Sequence, residues 1–212
     1  MRIELLDFIS RWGEPTDSVT VPPNYYDEYG DQLPELMLDI WREIGFAGLG
    51  DGLLWVCDPH TWRPIVDTWL DDVNLPEDYQ GNQIPIFRTA YCEIFCFKPG
   101  LGQKLSIDPV ISTVAVSRCV AGQRVDITGF LTLLPRHFLL RADPPDEGDD
   151  YQEDLFPRVV SQLGHTTGDT IYTFDPSIQE GSDIRVEYAR IIDAVSELTR
   201  LRALGNPELD VI

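Results

Sequence analysis

The sequence contains few residues spaced for catalysis or metal binding. Its three histidines, His60, His137 and His165, form no His-x-x-x-His motif and lie beside no Cys-x-x-Cys pair, the spacings typical of zinc sites. No Gly-x-Ser-x-Gly turn marks a serine nucleophile. The acidic residues are so numerous that no particular catalytic pair is favoured. We therefore expect a protein that is not an enzyme and has no catalytic residue, cofactor or metal site.

A glycine-rich run at residues 45–52 is the one segment with the composition of a phosphate-binding loop. A Gly-x-Gly-x-x-Gly motif would need glycine in place of Leu53. The run also follows a predicted helix and precedes a predicted strand, which is the reverse of a dinucleotide-binding fold. Because Lys98 and Lys104 are the only lysines, a Gly-Lys-Ser/Thr phosphate loop is excluded. A backbone turn is the favoured interpretation of the run.

Two acidic segments are the candidate partner-binding sites, and both are predicted to be loops. Residues 22–31 interleave acids with tyrosines, and residues 143–154 contain seven acids among twelve residues. Tyrosines serve as buried anchors in interfaces, while carboxylates meet the Arg and Lys side chains of a partner. A solvated loop whose tyrosines pack on the protein's own body is the alternative for the first segment. The candidate residues are Tyr25, Tyr26, Asp27, Glu28, Asp31, Asp146, Glu147, Asp149 and Asp150.

The net charge restricts the classes of partner. Among 212 residues, 16 Lys and Arg stand against 36 Asp and Glu, which gives a formal charge of -20. Such a surface repels nucleic-acid phosphates and acidic membranes, so we expect no direct binding to either and instead a basic protein partner. Since 43% of the residues are hydrophobic, the chain has enough apolar side chains to bury a core.

The N-terminal segment and the cysteines predict a cytoplasmic protein. Residues 1–10 contain Glu4 and Asp7 and lack the apolar stretch of a secretory signal. No run of about 18 apolar residues is available to span a membrane. The four cysteines are Cys57, Cys92, Cys96 and Cys119. They form no Cys-x-x-Cys pair, and we expect buried free thiols in a reducing compartment.

Hydrophobic periodicity predicts the secondary structure. Apolar residues between positions 33 and 44 recur at steps of three and one, which is typical of a helix with one buried face. A helix at residues 61–70 tolerates Pro64 only in its first turn. Residues 127–134 fit either a helix or a strand. The other predicted helices are residues 3–12, 155–163 and 184–204, and the predicted strands are residues 53–57, 93–97, 103–107 and 170–174.

The order of these elements predicts an α+β fold. Residues 84–116 are rich in β-branched and aromatic side chains, and a predicted hairpin loop at residues 98–102 interrupts them, which favours an antiparallel sheet. We therefore expect an N-terminal antiparallel sheet with packed helices in residues 1–120. A smaller, mainly helical C-terminal unit follows in residues 121–212.

The motifs of the two halves resemble a known pair of domains. Those of the N-terminal half are Trp12-Gly-Glu-Pro15, Leu33-Pro-Glu-Leu36, Gly50-Asp-Gly-Leu-Leu-Trp55, Asp58-Pro59, Trp69-Leu70 and the run at residues 85–95. They resemble the GAD-like domain of bacterial immunity proteins. Those of the C-terminal half are Leu155-Phe156, Leu163-Gly164, the run at residues 171–176 and Leu204-Gly205. They resemble the domain that accompanies it in type VI secretion immunity proteins, although Gly164-His-Thr replaces that family's usual Gly-Leu-Leu.

This resemblance implies a cytosolic antitoxin that binds and inhibits a cognate secreted toxin. In the best known members the toxin is a DNase, and inhibition would cover or distort its basic active-site cleft. We expect the protein to be a monomer before the complex forms. The alternative is an intracellular enzyme or small-ligand-binding protein on the same scaffold, since fold does not fix function.

Overall fold

The computed structural model describes residues 2–117 and 155–212. The helices are α1 (Ile3–Trp12), α2 (Pro23–Tyr29), α3 (Glu35–Glu43), α4 (Pro59–Leu70), α5 (Leu155–Leu163) and α6 (Ala194–Leu204), with 3-10 turns at Glu77–Tyr79, Ile178–Glu180 and Val186–Tyr188. The strands are β1 (Thr16–Val19), β2 (Phe46–Leu49), β3 (Leu54–Val56), β4 (Ile84–Thr89), β5 (Ile94–Lys98), β6 (Gly102–Asp108), β7 (Thr113–Val116), β8 (Thr170–Phe174), β9 (Ala189–Asp193) and β10 (Glu208–Val211).

In residues 2–117 and 155–212, eight strands form one sheet in the order β1-β2-β3-β4-β5-β6-β7-β10. Neighbours from β1 to β7 are antiparallel, whereas β10 lies parallel to β7, with Glu208 opposite Thr113. Strands β8 and β9 form a separate antiparallel pair. The predicted α+β class is confirmed. The last strand of the chain completes the sheet that the N-terminal part begins.

The sheet separates two hydrophobic cores. In β5, Ile94 and Cys96 share one core with Trp62 of α4. Phe95 and Phe97 of the same strand belong to the other core, which also contains residues of α1, α2 and α3. Since successive side chains of a strand point to opposite faces, the helices lie on both faces of the sheet.

Helix α4 begins two residues before its predicted start. The Asp58 carboxylate accepts a hydrogen bond from the backbone N–H of His60, and Pro59 occupies the first helical position, where no N–H is needed. Pro64 is therefore inside the helix, and its predicted place in the first turn is wrong. The buried residues of α4 are Pro59, Trp62, Ile65, Val66 and Trp69.

The predicted long helix at residues 184–204 is wrong in its first half. Strand β9 occupies this part, because β-branched residues such as Ile191 and Ile192 favour strands and pair here with β8. Helix α6 begins after Asp193, whose carboxylate accepts a hydrogen bond from the backbone N–H of Ser196. A side-chain cap of this kind marks a helix start that periodicity alone does not show.

Other predictions agree with the structure. Helices α1 and α5 and strand β8 have the predicted bounds, and the predicted hairpin loop joins β5 to β6. Cys57, Cys92 and Cys96 are free and buried, and burial raises the pKa of Cys92 to about 12. Cys119 and the segment at residues 127–134 lie outside the described residues. Within the described part of the chain, every helix is too short or too polar to cross a membrane.

Gly48 of β2 makes room for the side chain of Trp55. In the sheet register, Gly48 lies opposite Thr16 on one side and Trp55 on the other. A Cβ atom on Gly48 would lie 2.9 Å from Thr16 Oγ1 and 2.9 Å from Cζ2 of the Trp55 indole. The indole Nε1 donates a hydrogen bond to the carbonyl oxygen of Gly52, which keeps the ring over this part of the sheet (2.8 Å).

We predict that Gly48→Ala lowers the free energy of unfolding by about 1 to 3 kcal/mol, because the added methyl group overpacks the space under Trp55. Urea denaturation measures the change. Gly205→Ala is the matched control, since no described residue has an atom within 4 Å of its Cβ position and its backbone is extended. Equal losses of stability in the two variants would contradict the requirement for space at Gly48.

Candidate functional site

The first predicted partner-binding segment is a helix, and the loop expected there is wrong. Helix α2 has Pro23 at its first position, where the fixed φ of proline suits a helix, and it is followed by Gly30. Tyr25 and Tyr29 face the core, with 6% and 1% of their surface exposed. Their rings pack in the protein's own hydrophobic core, which agrees with the alternative interpretation that these tyrosines do not face a partner.

Tyr25 connects α2 to the start of α4. Its hydroxyl donates a hydrogen bond to Asp58 Oδ1 (2.9 Å), and its ring lies 4.3 Å from the His60 ring, centroid to centroid. Burial, together with the Asp58 carboxylate, raises the pKa of Tyr25 above its usual value. Trp41 of α3 meets the Tyr29 ring edge-on at 5.6 Å. These contacts fix the orientation of a short helix that carries little stability of its own.

The outer side of α2 and the residues after it are acidic. The exposed acids are Asp27, Glu28 and Asp31. Glu28 Oε2 lies 2.9 Å from His60 Nε2, and the half-buried Tyr26 ring lies 5.5 Å from the guanidinium carbon of Arg42. The second predicted segment lies outside the described residues, and its candidates are Asp146, Glu147, Asp149 and Asp150.

A cleft of about 270 Å³ opens beside the N-terminal end of α4. Its walls come from β1, β2, β3, α4 and residues 168–169, and Arg88 of β4 also lines it. Its aromatic residues are Phe46, Trp55 and Trp62, and its acidic residues are Asp17, Asp58 and Asp169. Because Asp58 also bonds to Tyr25, the cleft adjoins α2.

Arg88 is the buried cation of this cleft. Only 1% of its surface is exposed, and its guanidinium carbon lies 5.1 Å from the Trp55 ring and 4.7 Å from the Trp62 ring. Trp55 stands opposite Arg88 in the register of β3 and β4. Burial lowers the pKa of Arg88. Aromatic faces are favourable neighbours for a guanidinium, which is weakly hydrated and attracted to the ring quadrupole.

Backbone carbonyl groups hold the Arg88 guanidinium. Its Nη2 lies 2.9 Å from the carbonyl oxygens of both Thr167 and Gly168 and 3.3 Å from that of Thr170. Its Nη1 donates to the carbonyl oxygen of Thr89 at 3.2 Å. Among the residues that the structure describes, no carboxylate forms an ion pair with Arg88, and its Nε–H has no acceptor. The guanidinium therefore joins β4 to the segment that precedes β8.

Sequence reasoning missed Arg88 as a site residue. It stands in the mainly apolar run at residues 85–90, which the sequence assigns to a sheet and to one of the GAD-like motifs but to no binding site. A charged residue inside a fully buried strand needs polar or aromatic partners. An arginine in this apolar run is therefore the feature of the sequence that could have identified Arg88 as a site residue. Nothing in the sequence identified residues 167–170 as those partners, because the contact joins positions about 80 residues apart.

The three carboxylates of the cleft differ in their contacts. Asp58 accepts hydrogen bonds from Tyr25, from the His60 backbone and from Thr61 Oγ1. Asp17 and Asp169 are exposed, and neither carboxylate has a hydrogen-bond or ion-pair partner within the described residues. In that same part of the chain, no group of three His, Cys, Asp or Glu residues is placed to hold a metal ion.

Comparison with known proteins identifies the family. Residues 4–111 match the GAD-like domain. The chain belongs to the GAD-like domain family. The crystal structure of Atu4351 from Agrobacterium tumefaciens has the same fold, with a TM-score of 0.79 over 100% of this chain and 92% of that chain, at 20% sequence identity. No curated protein matches the chain significantly.

The cleft lies where the GAD-like domain meets the C-terminal part of the chain. Nearly all of its lining belongs to the matched region, and only Gly168 and Asp169 come from beyond it. Arg88 is inside the GAD-like domain, whereas three of the four carbonyl groups that it contacts lie outside. The division of the chain at residue 120 stays a prediction.

We predict that Arg88→Ala lowers the free energy of unfolding by about 2 to 4 kcal/mol, because it opens a space between two indoles and removes the donor of one buried and three partly buried hydrogen bonds to backbone carbonyl groups. Urea denaturation followed by tryptophan fluorescence measures the loss. Arg190→Ala is the control, since this arginine also donates to two backbone carbonyls but is exposed. A loss below about 1 kcal/mol at Arg88 would show that the guanidinium does not hold the two parts together.

Proposed function

We propose that this GAD-like protein is an immunity protein of a type VI secretion system, which binds and inhibits one cognate secreted toxin. The association of the GAD-like family with immunity proteins supports the proposal. The protein acts in the cytoplasm of the cell that it protects and is a monomer until it meets the toxin. It has no turnover of its own.

The formal charge of -20 is the observation that carries the choice of toxin class. An enzyme that cleaves DNA presents a basic cleft to the phosphates of its substrate. A strongly acidic protein is attracted to such a cleft over several ångströms and competes there with DNA. A DNase is therefore the toxin that fits this partner best, and covering or distorting its active-site cleft is the mode of inhibition.

Helix α2 supplies a rigid acidic surface for this contact. Tyr25 and Tyr29 are core residues in the structure and do not face a partner. The half-buried Tyr26 is therefore the tyrosine that contacts the toxin. Asp27 and Glu28 stand on the outer side of the helix. Because the buried tyrosines already fix the helix, little conformational entropy is lost when its acids meet a partner.

We predict that the protein abolishes the DNase activity of its cognate toxin at a near-stoichiometric ratio. Plasmid cleavage is measured while the protein is titrated into a fixed amount of toxin. The expected result is a linear loss of activity that reaches zero near one equivalent, since a tight complex removes active toxin molecule by molecule. Undiminished cleavage at a severalfold excess over the toxin would refute the proposed function.

We also predict that Asp27→Asn together with Asp31→Asn slows association with the toxin and weakens its salt dependence, with little change in dissociation. Exposed charges act mainly on the encounter rate, and salt shortens their reach from about 10 Å at 0.1 M to about 3 Å at 1 M. Stopped-flow measurements at both salt concentrations give the rates.

The control for this pair is Asp72→Asn with Asp210→Asn, which removes the same charge elsewhere. Asp72 follows the C-terminal end of α4, and Asp210 lies on β10, at the opposite edge of the sheet from β1. Both residues are exposed. Equal slowing by the two pairs would mean that net charge alone guides the encounter and that α2 has no special part in it.

A further inference from the structure

The cleft beside α4 contains polar groups that the protein itself leaves without partners. Within the described residues, the carboxylates of Asp17 and Asp169 form no hydrogen bond and no ion pair, although Asp169 attracts the Arg88 guanidinium electrostatically. The buried guanidinium of Arg88 donates to four carbonyl oxygens, yet its Nε–H and one N–H of Nη1 have no acceptor there. Among the described residues, no Arg88 nitrogen is a fully enclosed atom without a partner, and Arg88 lines the cleft, so a ligand in the cleft can supply an acceptor to these N–H groups.

The charge of the cleft favours a cation as the main group of that ligand. Among the residues that the structure describes, three carboxylates and one guanidinium line the cleft, and their formal charges sum to two negative charges. The positive charge of Arg88 lies between Trp55 and Trp62 and faces backbone carbonyls. Asp17 and Asp169, in contrast, are exposed. An incoming cation therefore meets the carboxylates first, and an anion meets a repulsive rim.

The walls of the cleft suit a long side chain with a charged end. Phe46, Trp55 and Trp62 present apolar surface, against which the aliphatic stem of an arginine or lysine packs while its charged end stays at the rim. A main-chain carbonyl beside such a side chain is a neutral acceptor for the open N–H groups of Arg88. A basic peptide segment therefore offers both of the groups that the cleft lacks.

The cleft is continuous with the acidic surface of α2. Glu28 contacts the His60 side chain, the His60 backbone bonds to Asp58, and Asp58 lines the cleft. A partner that covers the outer side of α2 thus reaches the rim of the cleft through His60 and Asp58. This continuity places the cleft within the contact area expected for a basic toxin.

We propose that the cleft is the docking site of one arginine or lysine side chain of the toxin, whose cation contacts Asp17 and Asp169 and whose adjacent main-chain carbonyl accepts from Arg88. This inference rests on the proposed function, because the occupant belongs to the inhibited toxin. It adds the location of a specific contact, at the junction of the GAD-like domain with residues 168–169.

The first test measures toxin affinity for Asp17→Asn with Asp169→Asn against the control pair Asp72→Asn with Asp210→Asn. Both pairs remove two exposed charges, and each includes one residue with positive φ, 50° at Asp17 and 64° at Asp72. Asparagine tolerates that backbone conformation, so both variants keep the fold. We expect the cleft pair to weaken affinity at least tenfold relative to the control pair, mainly through faster dissociation.

The second test needs no toxin. N-acetyl-L-arginine methylamide carries the guanidinium and the peptide carbonyls that the cleft requires, and it is titrated to about 50 mM, above the millimolar Kd of a weak contact. NMR signals of the tryptophan indole N–H groups report binding. We expect saturable shifts at Trp55 and Trp62 but not at Trp12, and weaker binding to the cleft pair. N-acetyl-L-glutamate methylamide is the matched negative probe.

The outcomes separate the two proposals. If the wild-type protein inhibits the toxin while the cleft pair binds it as tightly as the control pair, the docking site is wrong and the proposed function stands. If the wild-type protein does not bind the toxin, the proposed function fails and the arginine probe alone decides the cleft. No saturable shift with that probe, or equal binding of the glutamate probe, overturns the docking site.

Discussion

The position of one guanidinium between two indoles governs the arrangement of the site. Arg88 enters a sheet interior where an uncompensated charge is expensive, and no carboxylate of the described chain pairs with it. Backbone oxygens of Thr167, Gly168 and Thr170 are its substitute partners. The segment before β8 must therefore lie against the end of β4, and the Tyr172 backbone N–H bonds to the Ala90 carbonyl just beyond (2.9 Å).

The neighbours of this guanidinium place further constraints on the GAD-like domain. The Trp55 indole fits beside Arg88 because Gly48 has no side chain, and Trp62 reaches it because Asp58 begins α4 four residues earlier. Asp58 also accepts a hydrogen bond from Tyr25, so the same turn fixes α2. The same residue, Asp58, therefore fixes the position of both the acidic surface of α2 and the cleft.

Patterns of neighbouring residues predict the elements that depend only on those residues. They do not predict strands whose position depends on pairing with a distant part of the chain. Helix α1, helix α5, strand β8 and the loop after β5 follow from periodicity, proline and glycine. The sequence predicts a helix where β9 lies, because periodicity does not show the pairing of β9 with β8. It does not predict β10, because the partner strand β7 lies about 95 residues away. The candidate tyrosines were visible in sequence, but which of them faced the core depended on Trp41, His60 and Asp58.

The parallel pairing of β10 with β7 has a consequence for synthesis. Within the described residues, every other strand of the large sheet ends by residue 116, whereas β10 begins at Glu208 and is therefore made much later. Until then, the free edge of β7 exposes unpaired backbone groups that can join another nascent chain. The large sheet is thus closed by a strand made long after its neighbours, and a variant without residues 208–211 would retain that open edge.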